Sequence, residues 1–244
     1  MARKSRRANI DKSKPDKESF SKTIRQVEKC LESYYRLDMQ VSACQFTLEK
    51  DSYTDLVKRD PESRAEVCLV SDQQTPDEAF LGIYFSDDIK NTLNQAPPQT
   101  GLTRDNLDAF TVVIEELSHF HLICQRSLQN RKVSKLELEW QAEIDKVLVS
   151  SLTLMKQEGS YYIRQLLGLL FDQAIVNPRP PYPEAHKLAG KFWKKALDHG
   201  IGETIPLTDG NFQQFMVRNY HNPLQEKSPF SPGAVCWLAK KNTP

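Results

Sequence analysis

The segment 105–128 constrains the fold most, because it places charged residues inside an otherwise apolar helix. From Ala109 to Cys124 most residues are apolar, yet the middle reads Ile-Glu-Glu-Leu-Ser-His-Phe-His over residues 114–121. A helix that is apolar nearly all round is a buried helix. Buried carboxylates and imidazoles cost several kcal/mol unless they are paired, hydrogen-bonded or bound to a metal. The segment therefore predicts a core helix that carries either a polar network or a metal site.

The spacing of these residues indicates which of them act together. Glu115 and His119 are four residues apart and share one face of the helix, and Glu116 is three residues from His119. The next helix is predicted to begin at Ser134, which forms a capping box with Glu137, and to end near Gly159. This second helix offers further carboxylates for the same site, because it is rich in glutamate.

The window Glu115–His119 resembles the HExxH signature of the zincin metallopeptidases, with a glutamate in place of the first histidine. The resemblance implies that Glu115 and His119 bind a metal ion and that Glu116 is the general base. Gluzincins take a third ligand, a glutamate, from the following helix, and this resemblance implies Glu139 or Glu143. The motif Glu139-x-x-Ala is also similar to the third-ligand helix of bacterial gluzincins that cleave phage-type repressors.

The same segments resemble uncharacterised bacterial proteins with an E-x-x-S-H-F segment followed by E-L-E-x-Q-A-E, a resemblance that implies no activity. Two carboxylates and one imidazole suit a divalent metal, either zinc or, given the oxygen-rich set, iron or manganese.

Three other interpretations of these residues stay open. Glu116-x-x-His119 is half of a di-iron carboxylate motif, but the chain contains no second Glu-x-x-His. The glutamates and histidine could instead form a buried structural network without metal. Ser118 or Cys124 could serve as a nucleophile, but the chain has no GxSxG motif. His121 lies on a different face and is predicted to be an ordinary interface or surface histidine.

The order of elements predicts an α+β fold, in which a small antiparallel sheet precedes a helical half, as in zincins. We expect strands at 39–48, 65–71 and 79–85, and a loop at 72–77. Helices are expected at 19–37, from 86 to 93, and at 105–128, 134–159, 161–175, 184–199 and 209–219.

The domain organisation is predicted from charge and composition. Residues 1–17 carry seven Lys and Arg against two Asp and are expected to be a disordered tail, with weak nucleic-acid contact as one role. Residues 18–244 are expected to be one domain, with helix and sheet at 18–100, the helical part at 101–222 and loops at 223–244.

The chain begins without an apolar signal segment, and its five cysteines include no CxxC pair. Both observations predict a cytoplasmic protein. No apolar run approaches the roughly 18 residues that span a bilayer, so no membrane segment is expected.

The leading functional hypothesis is a zincin-like metal-binding protein, either a metal-dependent peptidase or hydrolase or an inactive relative. The alternative is a non-catalytic interaction or regulatory module, with a protein or peptide partner and a structural Glu/His network.

Overall fold

The structure, a computed structural model, describes residues 17–71, 79–172 and 177–221 and has the predicted α+β class. The α-helices of the described residues are α1 Lys17–Tyr35, α2 Lys50–Val57, α3 Asp87–Gln95, α4 Arg104–Leu128, α5 Lys135–Glu158, α6 Ile163–Leu167, α7 Tyr182–Asp198 and α8 Gly210–His221. A π-helical turn, Gly168–Asp172, continues α6 within the helix predicted at 161–175. The strands are β1 Thr47–Leu48, β2 Ala65–Ser71 and β3 Ala79–Phe85. Residues 1–16 of the predicted tail, the loop at 72–77, the end of the helix at 161–175 and the C-terminal loops lie outside the described residues, whereas Lys17, the last residue of the predicted tail, begins α1.

The three strands form one sheet in the order β1-β3-β2. Strands β2 and β3 pair antiparallel from Ala65 opposite Phe85 to Ser71 opposite Ala79, as expected. The two residues of β1 pair parallel with β3, so the sheet is mixed. Strand β2 is therefore an edge strand, which leaves outward backbone groups for other partners.

The predicted strand at 39–48 is wrong for most of its length. Residues Ala43–Phe46 form a 3₁₀ turn, and only Thr47 and Leu48 join the sheet. The turn forms because Glu28 of α1 accepts hydrogen bonds from the Ala43 N–H and the Ser42 hydroxyl. Helix α2 follows directly and was not predicted.

Helices α4 and α5 match their predicted bounds closely and pack against each other. Thr103 and Asn106 form a capping box at the start of α4, and the Ser134 hydroxyl accepts a hydrogen bond from the Glu137 N–H. Helix α5 ends at Gly159, which adopts a left-handed conformation with φ of 71°. The Glu137 carboxylate does not complete the capping box as predicted, because it pairs with Arg126.

Helix α4 lies in the core, as its apolar sequence predicted. Phe110, Val113, Ile114, Leu117 and Phe120 are each fully buried. The helix contacts α5, α1, α3 and both long strands, so its faces meet different elements. Among the described residues, the helices are all too short or too polar to cross a membrane.

Candidate metal centre

Glu115 and His119 of α4 meet Glu139 of α5 at the helix pair's open side. One ligand atom from each residue lies within 4.8 Å of the other two. The group lines a cleft of about 1270 Å³ that the α4–α5 pair shares with β2 and the start of α7. The i, i+4 spacing brings the first two together, and the packing of α4 against α5 adds the third.

The His119 ring lies between two carboxylates. Its side chain is 12% exposed; Nδ1 lies 3.7 Å from Glu116 Oε2, and Nε2 lies 3.7 Å from Glu139 Oε2. Among the described residues, Nε2 has no hydrogen-bond partner, although the atom is shielded from solvent. An unpartnered buried ring nitrogen is costly, so Nε2 is the atom of His119 that is available to a ligand.

Glu116 connects the site to the sheet. Its Oε2 accepts a hydrogen bond of 2.8 Å from the Val67 N–H, an outward group of the edge strand β2. The same oxygen faces His119 Nδ1. The Glu116 carboxylate is thereby fixed on the side of the imidazole that is opposite to Nε2.

Glu143, the other predicted third ligand, lies outside the three-residue group and belongs to a neighbouring ion-pair cluster. Lys146 Nζ lies 2.9 Å from Glu143 Oε1 and 2.5 Å from Glu115 Oε2. His186 of α7 contacts Glu143 Oε2 through Nδ1 at 3.1 Å. Lys146 therefore holds Glu115 in place, while Glu143 is satisfied by its own partners.

The pKa values of the site follow from burial and from the crowding of carboxylates. Burial raises the pKa of Glu139 to about 7, although the His119 charge opposes the shift. Burial also raises the pKa of Glu116. Burial alone lowers the pKa of His119, but its contact with Glu116 and the charges of Glu116, Glu139 and Glu115 outweigh this and raise it to about 9.

The ion-pair cluster next to the site shows the opposite balance. The Glu143 carboxylate has a lowered pKa: burial raises it, but the Lys146 charge and the His186 hydrogen bond prevail. The Lys146 pKa is raised, because the charges of Glu115 and Glu143 outweigh the effect of its burial. Lys146 and His186 therefore compensate the negative charge of Glu143, whereas the negative charge of Glu139 is compensated less strongly.

Sequence reasoning missed two clusters of polar residues near α4. The first contains Lys146 and His186, which belong to no motif and are brought together only by the packing of α5 against α7. The buried Asp145 carboxylate accepts hydrogen bonds from Ser118, Tyr35 and Gln141, within one network. The polar residues that recur along α5 were the sequence signal for this network. The sequence alone did not show which of them face the core.

The prediction that His121 is an interface or surface histidine is wrong. Its side chain is 1% exposed and lies between α4 and α1. The step of two residues from His119 turns the side chain by about 200° around the helix. On an amphipathic helix that rotation would reach solvent, but α4 is covered on this side by α1.

Comparison of the chain with protein-family profiles, with curated proteins and with solved structures finds no match.

Proposed function

We propose that the protein binds a divalent metal ion through Glu115, His119 and Glu139 and uses it as a metal-dependent hydrolase. The observation that carries the proposal is His119 Nε2, a shielded nitrogen without a hydrogen-bond partner in the described residues. It faces the Glu139 carboxylate in the wall of an open cleft. A metal ion would satisfy this nitrogen and the excess of carboxylate charge together.

The distance between the two ligand atoms supports a shared ion. His119 Nε2 and Glu139 Oε2 are 3.7 Å apart, which is too long for a hydrogen bond. Two ligand atoms that each lie about 2.1 Å from one tetrahedral metal are about 3.4 Å apart. The observed separation is thus close to that of two ligands of one ion.

The ligand set favours zinc, iron or manganese. One imidazole and two carboxylates are ligands that all three ions accept. Three protein ligands leave a coordination position for water, and a bound ion lowers the pKa of that water enough to make a nucleophile near neutral pH. Because the group lines the cleft, a substrate can reach this position.

Glu116 supports the site in one of two ways. Its motif position predicts a general base. Its contacts favour a positioning role, in which the carboxylate faces Nδ1 of His119 at 3.7 Å, favours a proton on that nitrogen and leaves Nε2 free for the ion. A Glu116→Gln variant that keeps its metal and loses hydrolysis supports the base, whereas a 10- to 100-fold weaker metal affinity supports positioning.

A second function, a non-catalytic module with a structural network, is favoured by one observation. Lys146 already pairs with Glu115 and Glu143, so part of the carboxylate charge is balanced without a metal. In that case the protein or peptide partner and the contact of residues 1–17 with nucleic acid remain the functional predictions. The cytoplasmic location remains a prediction from the sequence.

Metal content separates the two functions. Protein loaded with Zn²⁺ and dialysed is assayed for bound zinc, with matched pairs of variants. Glu139→Gln should lose the ion and Glu143→Gln should keep it, because only Glu139 belongs to the ligand group. His119→Asn should likewise lose it, and His186→Asn, a change in the same cleft, should not.

Activity is then tested on the zinc-loaded protein with labelled casein and with p-nitrophenyl acetate, as a peptide and an ester probe. Hydrolysis that disappears in Glu139→Gln and persists in Glu143→Gln supports a hydrolase. Zinc content that does not differ between folded wild type and His119→Asn would contradict the ligand assignment.

A further inference from the structure

A second cluster of potential ligands lies on the opposite side of α4 from the cleft. Glu28 and Glu32 are four residues apart on α1 and share one face of that helix. One carboxylate oxygen of each lies within 4.8 Å of a ring nitrogen of His121. None of these three residues lines the cleft, so this cluster is separate from the centre at His119.

The His121 ring is arranged so that one nitrogen is available to a ligand. Nδ1 lies 2.7 Å from the Leu117 carbonyl oxygen, which can only accept a hydrogen bond. Nδ1 must therefore carry the proton. Nε2 is shielded, has no hydrogen-bond partner among the described residues, and lies 3.7 Å from Glu32 Oε1. A carbonyl that fixes the tautomer in this way is common for histidines that bind metals through the other nitrogen.

The two carboxylates face the imidazole of His121 and no lysine or arginine of the described residues. Within residues 17–71, 79–172 and 177–221, neither Glu28 nor Glu32 forms an ion pair with a lysine or arginine. Glu28 is 4% exposed and is oriented by the Ala43 N–H and the Ser42 hydroxyl, which are neutral donors. A buried carboxylate without a counter-charge is unfavourable, so the cluster calls for a positive charge.

We propose that Glu28, Glu32 and His121 form a second site for a divalent cation, which joins α1 to α4. The 3.7 Å between His121 Nε2 and Glu32 Oε1 exceeds a hydrogen bond and fits two ligands of one ion, which lie about 3.4 Å apart. Glu28 and His121 are almost fully buried, while Glu32 is 30% exposed and gives the ion a way in. A site closed by core packing stabilises the fold and does not present the ion to a substrate.

Zinc stoichiometry tests this site independently of the proposed function. Wild type loaded with Zn²⁺ should hold about two ions per chain, and His119→Asn and Glu32→Gln about one each. The double variant should hold none. Asp38→Asn, which removes an exposed carboxylate just beyond α1, is the charge-matched control and should hold as many ions as wild type.

The outcomes distinguish the two sites. If the site at His119 does not exist, wild type holds about one ion, His119→Asn retains it, and Glu32→Gln loses it. If the second site does not exist, folded His119→Asn holds no zinc, or Glu32→Gln holds as much as wild type. Circular dichroism confirms the fold of each variant; Glu32 is partly exposed, so its amide should be tolerated.

Thermal melting of His119→Asn tests the second site in a variant that keeps all three of its proposed ligands, so a folding defect caused by removing one of them does not enter this measurement. In His119→Asn, excess Zn²⁺ should raise the melting temperature by roughly 5 °C, because the remaining ion binds the folded state. The same addition should leave the melting temperature of the double variant unchanged. An equal rise in both proteins would contradict the second site.

Discussion

The hydrogen bond between Ser118 and Asp145 gives the sharpest test of the core. Ser118 Oγ donates to Asp145 Oδ2 at 2.6 Å, and the two residues are 1% and 0% exposed. A hydrogen bond to a charged group contributes about 1.5–3 kcal/mol. Ser118→Ala should therefore lower the free energy of unfolding at pH 7 by about 2 kcal/mol, measured by urea denaturation.

Ser150→Ala is the matched control. Ser150 is also buried in a helix of the same pair, but its hydroxyl has no hydrogen-bond partner among the described residues. Both changes remove one oxygen and replace serine by the better helix former, so those effects cancel in the comparison. The control should change the free energy of unfolding by less than about 0.5 kcal/mol or increase it.

The pH dependence of the same variants tests whether the Asp145 charge is responsible. Burial raises the pKa of Asp145 to about 6, although the hydrogen bonds from Ser118, Tyr35 and Gln141 oppose the shift. The native protein then binds a proton more tightly than the unfolded chain. Stability is fully present below pH 4 and falls as pH rises through 6, by about 3 kcal/mol for a shift of about two units.

Removing the Ser118 hydroxyl should raise the pKa of Asp145 further, since one donor to the charged form is lost. The cost of Ser118→Ala should be about 2 kcal/mol at pH 7 and below about 1 kcal/mol at pH 4, where Asp145 is protonated in the folded form of both proteins. An equal cost at both pH values, or an equal cost for Ser150→Ala, would refute the reasoning.

Two further pairs of substitutions test the backbone and a buried ion pair, again by urea denaturation. Gly202 has φ of 80°, and a Cβ there would lie 2.0 Å from an isoleucine side chain. Gly202→Ala should therefore cost about 2 kcal/mol or more, whereas Gly101→Ala, with no atom within 4 Å of its Cβ, should cost nothing measurable. Arg126 is 2% exposed and pairs with Glu137 at 2.9 Å. Glu137→Gln should cost about 2–3 kcal/mol, whereas Glu203→Gln, in an exposed pair, should cost less than about 1 kcal/mol; equal costs would contradict the role of burial.

Local sequence signals predicted the two long helices of the site, but they missed α2 and gave a wrong strand where residues distant in sequence determine the backbone conformation. Helices α4 and α5 follow from their capping residues and apolar repeats, which act within a few positions of the chain. The segment 39–48 has the composition of a strand, but the Glu28 carboxylate fixes the turn at Ala43 from another helix. A contact over 15 residues cannot be derived from the pattern of the segment itself.

The candidate centre was predictable up to its third ligand. The pairing of Glu115 with His119 follows from helix geometry alone. Glu139 and Glu143 are also four residues apart on one face, so they differ by about 6 Å along α5. The choice between them depends on how far α5 is shifted along its axis relative to α4. Side-chain packing determines that shift, and a helical wheel gives no information about it.

Helix α4 can carry four polar residues between positions 116 and 121 because each residue turns its side chain by about 100°. Successive positions therefore reach partners on different elements. Ser118 meets α5 and Glu116 meets β2, and both are satisfied by hydrogen bonds. His119 and His121 each keep one shielded nitrogen without a partner in the described chain, and each nitrogen lies 3.7 Å from a carboxylate. Other buried polar atoms of the described residues also lack a partner, so the missing hydrogen bond alone does not indicate a cation. What distinguishes these two nitrogens is the group of carboxylate oxygens around each of them, and both proposed cation sites depend on that arrangement.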